Sequence, residues 1–339
     1  MKAKQRHSGM ELLRIIAMMM VVMVHTDFWA LGEPRPALID SEPLKAFSQY
    51  LVESFAIICV NCFIFISGWF SIKPTVRGFV SLLFQIIFYN VLIYLVCALT
   101  GYVQFDIRHF ATHLNFLPHW FLISYIALYL LAPIFNVFVE KSSPRQALIT
   151  MSSFTLLDVV FGWFVDYLHF TGGYTLLHLM VIYVIARYIR VHGGKLFKFD
   201  KKIDMGLFLA ISIITPIFVM VSYYVARPIW NHIGLLFLYN SPFIIITSVY
   251  FSLFFTKLKL KSNFVCFIGA SSFAVYLIHT DVLVRNWCIK DFCRTIFFNY
   301  SILYYSMAVI LLIISLFVVA ISVDLVRKKL WHLIQSHVF

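Results

Sequence analysis

Ten runs of about twenty apolar residues, each long enough to cross a bilayer as a helix, divide this chain near 9–31, 48–71, 79–101, 119–139, 147–167, 172–189, 203–226, 232–256, 264–287 and 300–325. Such a chain has few folds open to it. Lipid offers a backbone amide no hydrogen-bond partner, so a spanning segment must satisfy its own polar groups, as a helix does. Composition agrees, with 62% hydrophobic and 12% charged residues against roughly a quarter charged in soluble domains. The expected fold is an all-α membrane protein of about ten transmembrane helices. No long polar stretch exists to build a second unit, so residues 1–339 read as a single transmembrane domain. The first run has no small-residue cleavage site and reads as a retained helix.

The formal net charge of +12 does not point to nucleic acid, because the basic residues sit in short loops between apolar runs. There they set orientation. With the N-terminus inside, nineteen Lys and Arg residues fall on the cytoplasmic side and seven outside, Arg14 being set aside as intramembrane. Both termini are therefore expected in the cytoplasm. The basic, aromatic segment 190–202 reads as topogenic and in contact with membrane lipids. Pro133, Pro216 and Pro242 fall within expected spans and should kink them. The small residues Ser67-Gly68 and Gly269-Ala-Ser-Ser272 should let helices approach closely. Six cysteines show no paired zinc spacing; Cys59-Val-Asn-Cys62 stands in an apolar run, and Cys288 and Cys293 are expected as free thiols. No metal is expected.

Charged and polar groups inside apolar runs are costly, and each is a functional-site candidate. The first run carries Arg14 and His25. Eleven residues at 100° each bring both onto one helix face, about 16 Å apart along the axis. On the expected topology Arg14 lies toward the cytosol and His25 in the outer third. His119, His279, Glu53, Asp27 and Asp281 share the outer depth, while Arg187 and Arg190 join Arg14 at the inner ends. That polarity suits a phosphorylated donor reaching in from the cytosol and an uncharged acceptor arriving from outside. Simpler roles exist for every one of these residues. Arg14 is near enough to the interface to snorkel, although Glu11 one turn earlier can pair with it. His25 and His279 can serve as packing hydrogen-bonders, the latter with Tyr276 one turn away. His119 beside Trp120 suits an aromatic belt, and His178 suits a packed, hydrogen-bonded core position. Asp158 and Glu53, as carboxylates in mid-span, need a partner or a watered cavity.

The spacing Arg14-x10-His25, preceded by Glu11, resembles the start of the integral-membrane acyltransferase 3 family. Phe63-Ile-Phe-Ile-Ser-Gly-Trp-Phe70, His119-Trp-Phe-Leu122, Tyr183-Val-Ile-Ala-Arg-Tyr-Ile-Arg190 and Ser272-Phe-Ala-Val-Tyr-Leu-Ile-His279 extend the likeness over almost the whole chain. The resemblance implies transfer of an acyl group, usually acetyl from acetyl-CoA as donor substrate, to a hydroxyl of an extracytoplasmic cell-surface glycan or lipid-linked sugar. It implies His25 as the catalytic histidine, with Arg14 contributing to the site. The family acid before the arginine is commonly aspartate, and Glu11 departs mildly from it. The chain resembles the short form without an appended soluble domain, so a serine acyl-enzyme carried on such a domain is not expected. Direct transfer, or handover to a separate partner protein, is expected instead.

A sugar hydroxyl needs a positioned base, and neutral imidazole near pH 7 suits that role; His25 is the candidate. Arg14, with Arg187 and Arg190, is expected to bind the donor's phosphates, where a planar guanidinium fits phosphate oxygens. Glu11, Glu53, His119, Trp120, Tyr276 and His279 are expected as supporting residues, with Tyr276, Trp120 or Asn61 available to the oxyanion. A transporter or flippase for a glycan intermediate is the main alternative, and a ligand-sensing membrane scaffold the next. The expected location is the plasma or inner membrane.

Overall fold

The structure is a computed structural model that describes residues 7–117, 119–165 and 170–338. Lys2, Lys4, Arg6 and the last two residues of the expected span 147–167 lie outside the described residues. Twelve helices carry the argument: α1 (Ser8–Thr26), α2 (Pro43–Ala56), α3 (Cys59–Phe70), α4 (Val76–Leu99), α5 (Trp120–Lys141), α6 (Pro144–Asp158), α7 (Leu176–Val191), α8 (Lys201–Val225), α9 (Pro242–Thr256), α10 (Asn263–Gly269), α11 (Ser272–Thr280) and α12 (Ile302–Val338). Among the described residues, nine helical stretches are long and apolar enough to cross a membrane. The tenth expected run, 172–189, is α7, whose 16 residues extend only about 24 Å. It can be short because it faces protein on nearly every side, with Leu179 and Val181 through Ile189 buried.

Helices α1, α3 and α7 form the centre. α1 packs against α2, α3, α9, α10 and α11, while α7 packs against α3, α5 and α6. Helices α4, α8 and α12 lie outside these and expose apolar side chains such as Leu95, Ile214, Leu311 and Val318, the pattern expected where the surroundings are hydrocarbon. Close contact at the centre depends on glycine. A methyl group at Gly68 would stand 2.6 Å from the Tyr183 carbonyl oxygen, and one at Gly269 would stand 2.6 Å from Glu11 Oε2. These two positions are where small residues were expected to let backbones approach.

Two expected spans are broken. The run near 48–71 is α2 and α3, separated at Ile57-Ile58, and it begins at Pro43. The run near 264–287 is α10 and α11, ending at Asp281, whose ψ of 136° turns the chain. Asp281 then accepts from the Leu283 amide to start a new helical segment, which widens to π-helical geometry over Arg285–Asp291. Of the three prolines, Pro133 and Pro216 sit inside helices, while Pro242 occupies the first turn of α9. There its missing N–H costs nothing, so it starts the helix instead of kinking it.

The helix ends segregate. At the end that holds Ser8, Asn136 Nδ2 donates to the Ile72 carbonyl at 2.8 Å, Lys257 Nζ donates to Asp204 Oδ2 at 2.5 Å, and Arg77 Nη2 donates to Gln335 Oε1 at 2.6 Å. At the opposite end Tyr305 donates to the Thr26 carbonyl at 2.6 Å and Tyr223 to Asp40 Oδ1 at 2.7 Å. Back at the Ser8 end, Asp324 accepts from Arg327 Nε at 2.7 Å and forms an ion pair with Lys328 Nζ at 2.7 Å. Lys328 also donates to Ser271 Oγ at 3.0 Å, tying α12 to the break between α10 and α11.

Candidate active site

The first turn of α1 is fixed before its functional residues begin. His7 Nδ1 accepts from the Met10 amide, and Glu11, buried against Gly269, accepts from Arg14 Nη1 at 2.6 Å. An acid at a helix N-terminus is favoured by the helix dipole. It also neutralises the arginine that follows. Arg14 keeps 28% of its side chain exposed, and that part borders a cavity of about 770 Å³. The cavity follows one face of α1, touching Arg14, Met18, Val21 and His25, and continues past the break at Asp27 to Trp29 in the short helix Phe28–Leu31. Steps of four, three and four residues from Arg14 to His25 define a single helical stripe. From Ser67 and Ala270 beside Arg14, the same cavity continues to Glu33 and Gly234 near the opposite end of the bundle.

At His25 the cavity passes a pair of imidazoles. His25 Nδ1 lies 2.9 Å from the Val21 carbonyl oxygen and 3.2 Å from His279 Nε2. His279 is buried, and its Nδ1 lies 2.6 Å from the Val275 carbonyl oxygen. The expected partner of His279, Tyr276, instead lies edge-on at 6.0 Å between ring centroids and borders the cavity itself. The helical register explains the difference: an imidazole reaches its own i−4 carbonyl, and its far nitrogen then points across to α1. Trp29 lies 6.0 Å from the His25 ring, and the Arg285 guanidinium sits 4.7 Å above Trp29. Arg285 borders the cavity, and its buried Nε has no hydrogen-bond partner.

Carboxylates and aromatic rings complete the outer part. Glu53 borders the cavity with Oε2 buried and unbonded. Asp27 accepts from Gln49 Nε2 at 3.0 Å. Burial raises the Glu33 carboxyl above its ordinary range. Trp120, Tyr174 and Tyr239 form one wall, with Tyr174 4.9 Å from Trp120 and 4.8 Å from Tyr239 between centroids. His119, just before α5, does not border the cavity. Burial lowers its imidazole below the usual histidine range, a shift that the Asp281 carboxylate opposes.

Arg187 and Arg190, expected with Arg14 at the donor end, are placed apart from the cavity. Arg187 donates to Glu140 Oε1 at 2.5 Å and to the Gly68 carbonyl oxygen at 3.5 Å, and Arg190 stacks 4.8 Å over Trp69. The reason is the close approach at Gly68, which turns this part of α7 toward α3 and α5. A second histidine cluster stands apart from the cavity lining. His178 Nδ1 lies 2.7 Å from Asp158 Oδ2, and His178 Nε2 donates to Asn61 Oδ1 at 2.8 Å. The mid-span carboxylate thus has the partner it required. The six cysteines are free, and no group of three His, Cys, Asp or Glu residues suited to a metal occurs among the described residues.

A family model described as an acyltransferase domain, acyltransferase 3, matches residues 7–327. The chain belongs to the acyltransferase 3 family. It is a multi-pass membrane acyltransferase. No curated protein and no solved structure matches the chain. Within this acyltransferase, Arg14 and His25 border the same cavity, together with Glu53, Trp120 and Tyr276. Glu11 and His279 stand directly behind them. Trp29, Glu33, Tyr174, Tyr239 and Arg285 were not expected at the site. Trp29 follows His25 by four residues, one helical turn in the sequence, although the chain breaks at Asp27 between them; the others arrive from loops and broken helices that periodicity does not describe.

Proposed function

We propose that this acyltransferase moves a small acyl group, acetyl foremost, from cytosolic acyl-CoA to a hydroxyl of an extracytoplasmic glycan or lipid-linked sugar, in the plasma or inner membrane. The observation that carries the reading is the continuous cavity from Arg14 past His25 to Glu33. On this reading the donor's phosphates meet Arg14, whose planar fork is held by Glu11. The pantetheine arm lies along the α1 stripe and brings the thioester to His25. The acceptor enters among Trp120, Tyr174 and Glu53.

His25 Nε2 takes the hydroxyl proton as the oxygen attacks the thioester carbonyl. Negative charge then builds on the carbonyl oxygen, where the Tyr276 hydroxyl is available as donor. The carbon–sulfur bond breaks, the sulfur takes the proton back from His25, and the products are an ester and CoA thiol. The test is release of CoA thiol from acetyl-CoA by the purified protein, with and without glycan, for wild type, His25→Ala and Arg14→Lys. Glycan-dependent release that His25→Ala abolishes supports the reading. Glycan accumulation in vesicles without acyl-CoA, and without CoA release, would establish a transporter instead.

A further inference from the structure

Backbone contacts fix which atoms of His25, at the cavity, and His279, behind it, carry protons. A carbonyl oxygen only accepts, and a neutral imidazole has one donor and one acceptor nitrogen. His25 Nδ1 faces the Val21 carbonyl oxygen at 2.9 Å, so the proton is on Nδ1. The same reasoning puts the His279 proton on Nδ1, which faces the Val275 carbonyl oxygen at 2.6 Å. His279 Nε2 is then a lone pair, and it lies 3.2 Å from the His25 Nδ1–H. The His25 proton is therefore shared between a backbone oxygen on its own helix and an imidazole on α11. His25 Nε2 has no hydrogen-bond partner among the described residues, and the ring borders the cavity.

The geometry points to His279 as the positioning residue that holds His25 in the Nδ1–H tautomer and stabilises its protonated form, leaving His25 Nε2 as the base. This inference rests on the proposed role of His25. During transfer the acceptor proton moves to His25 Nε2, and the cationic ring donates more strongly from Nδ1 to the His279 lone pair. The proton leaves again from Nε2 to the sulfur, and His279 keeps its own proton on the Val275 carbonyl throughout. A base oriented by a third group is the logic of a catalytic triad, in which the orienting group is a carboxylate. Here the orienting group is neutral, which avoids a second charge at a depth where charge is costly. Arg285, across Trp29, is the charged side chain bordering this part of the cavity from the segment that follows α11. Glu53 borders it from α2.

The test compares full-length wild type, His279→Leu, His279→Gln and His25→Ala in lipid nanodiscs. The readouts are acetyl transfer kinetics and ring 15N shifts of histidine-labelled protein. Leucine removes the acceptor atom, whereas the glutamine amide oxygen can replace it. The expected result is a kcat loss of about 10²-fold in His279→Leu with KM for acetyl-CoA unchanged, and recovery of at least about a tenth of wild-type kcat in His279→Gln. Wild-type His25 should show the Nδ1–H tautomer. Wild-type His25 protonated on Nε2 would overturn the inference without any variant having to fold. So would wild-type kcat in His279→Leu while His25→Ala is inactive, a result that leaves the proposed function standing. Full transfer by His25→Ala would instead remove the base assignment on which the inference rests.

Discussion

His25 and His178 are both held by hydrogen bonds inside the bundle, yet their four ring nitrogens are used differently. His178 has both filled, one at Asp158 and one at Asn61, and its surroundings are fully buried. His25 has its Nδ1 filled twice over, by Val21 and His279, and its Nε2 left for the cavity. A histidine in a membrane helix is costly in either setting. It becomes a candidate for chemistry only where the protein satisfies one nitrogen and leaves the other to a substrate. The arginines divide in the same way: Arg187 is consumed by Glu140 and Gly68, whereas Arg14 keeps part of its guanidinium in the cavity beyond its bond to Glu11.

The comparison breaks most clearly in the two histidines. His25→Ala should lower transfer by about 10²–10⁴-fold, the range for loss of a general base, with little change in the melting temperature of the purified protein. His178→Ala should do the reverse, since it strands Asp158 in a buried site. Loss of about 3 kcal/mol of stability is expected, read as a fall in melting temperature. Adding Asp158→Leu to His178→Ala should recover part of that loss, because the uncompensated carboxylate is gone; a further fall would show that Asp158 has another task.

Smaller effects separate the arginines. Arg14→Lys should raise KM for acetyl-CoA about tenfold, roughly 1.4 kcal/mol, because a point charge replaces a planar fork. An unchanged donor affinity with reduced kcat would make Arg14 a catalytic or structural group. Arg187→Lys should change KM by no more than about twofold, within the ~0.5 kcal/mol scatter of positions away from a site. A tenfold rise there would return Arg187 to the donor site from which its contacts separate it.

Much of this arrangement was legible in the residues. Run length and composition were enough for the helices, since bilayer thickness sets the one and hydrocarbon the other. Helical periodicity was enough to put Arg14 and His25 on one face. Less was available for pairing across helices. His279 could be assigned a depth but not a partner, because its contact with His25 depends on how α11 lies against α1. Arg285, near the end of the expected run 264–287, had no assigned role until the turn at Asp281 and the π-helical stretch placed it over Trp29. Arg187 and Arg190 were grouped with Arg14 by expected depth alone, but α7 turns them to Glu140, Gly68 and Trp69 instead of the cavity.

The sequence by itself determined an all-α membrane protein, the likeness to its family, and the shared helix face of Arg14 and His25. Those properties follow from local rules, in which each residue answers to hydrocarbon, to the interface or to its neighbours one turn away. Only the tertiary structure decided which polar groups are spent on the protein and which remain open. That outcome depends on helix rotations, on approaches such as those at Gly68 and Gly269, and on breaks within spans. A rotation of a few tens of degrees hardly changes the hydrophobic pattern, but it moves a guanidinium from a cavity to a carboxylate.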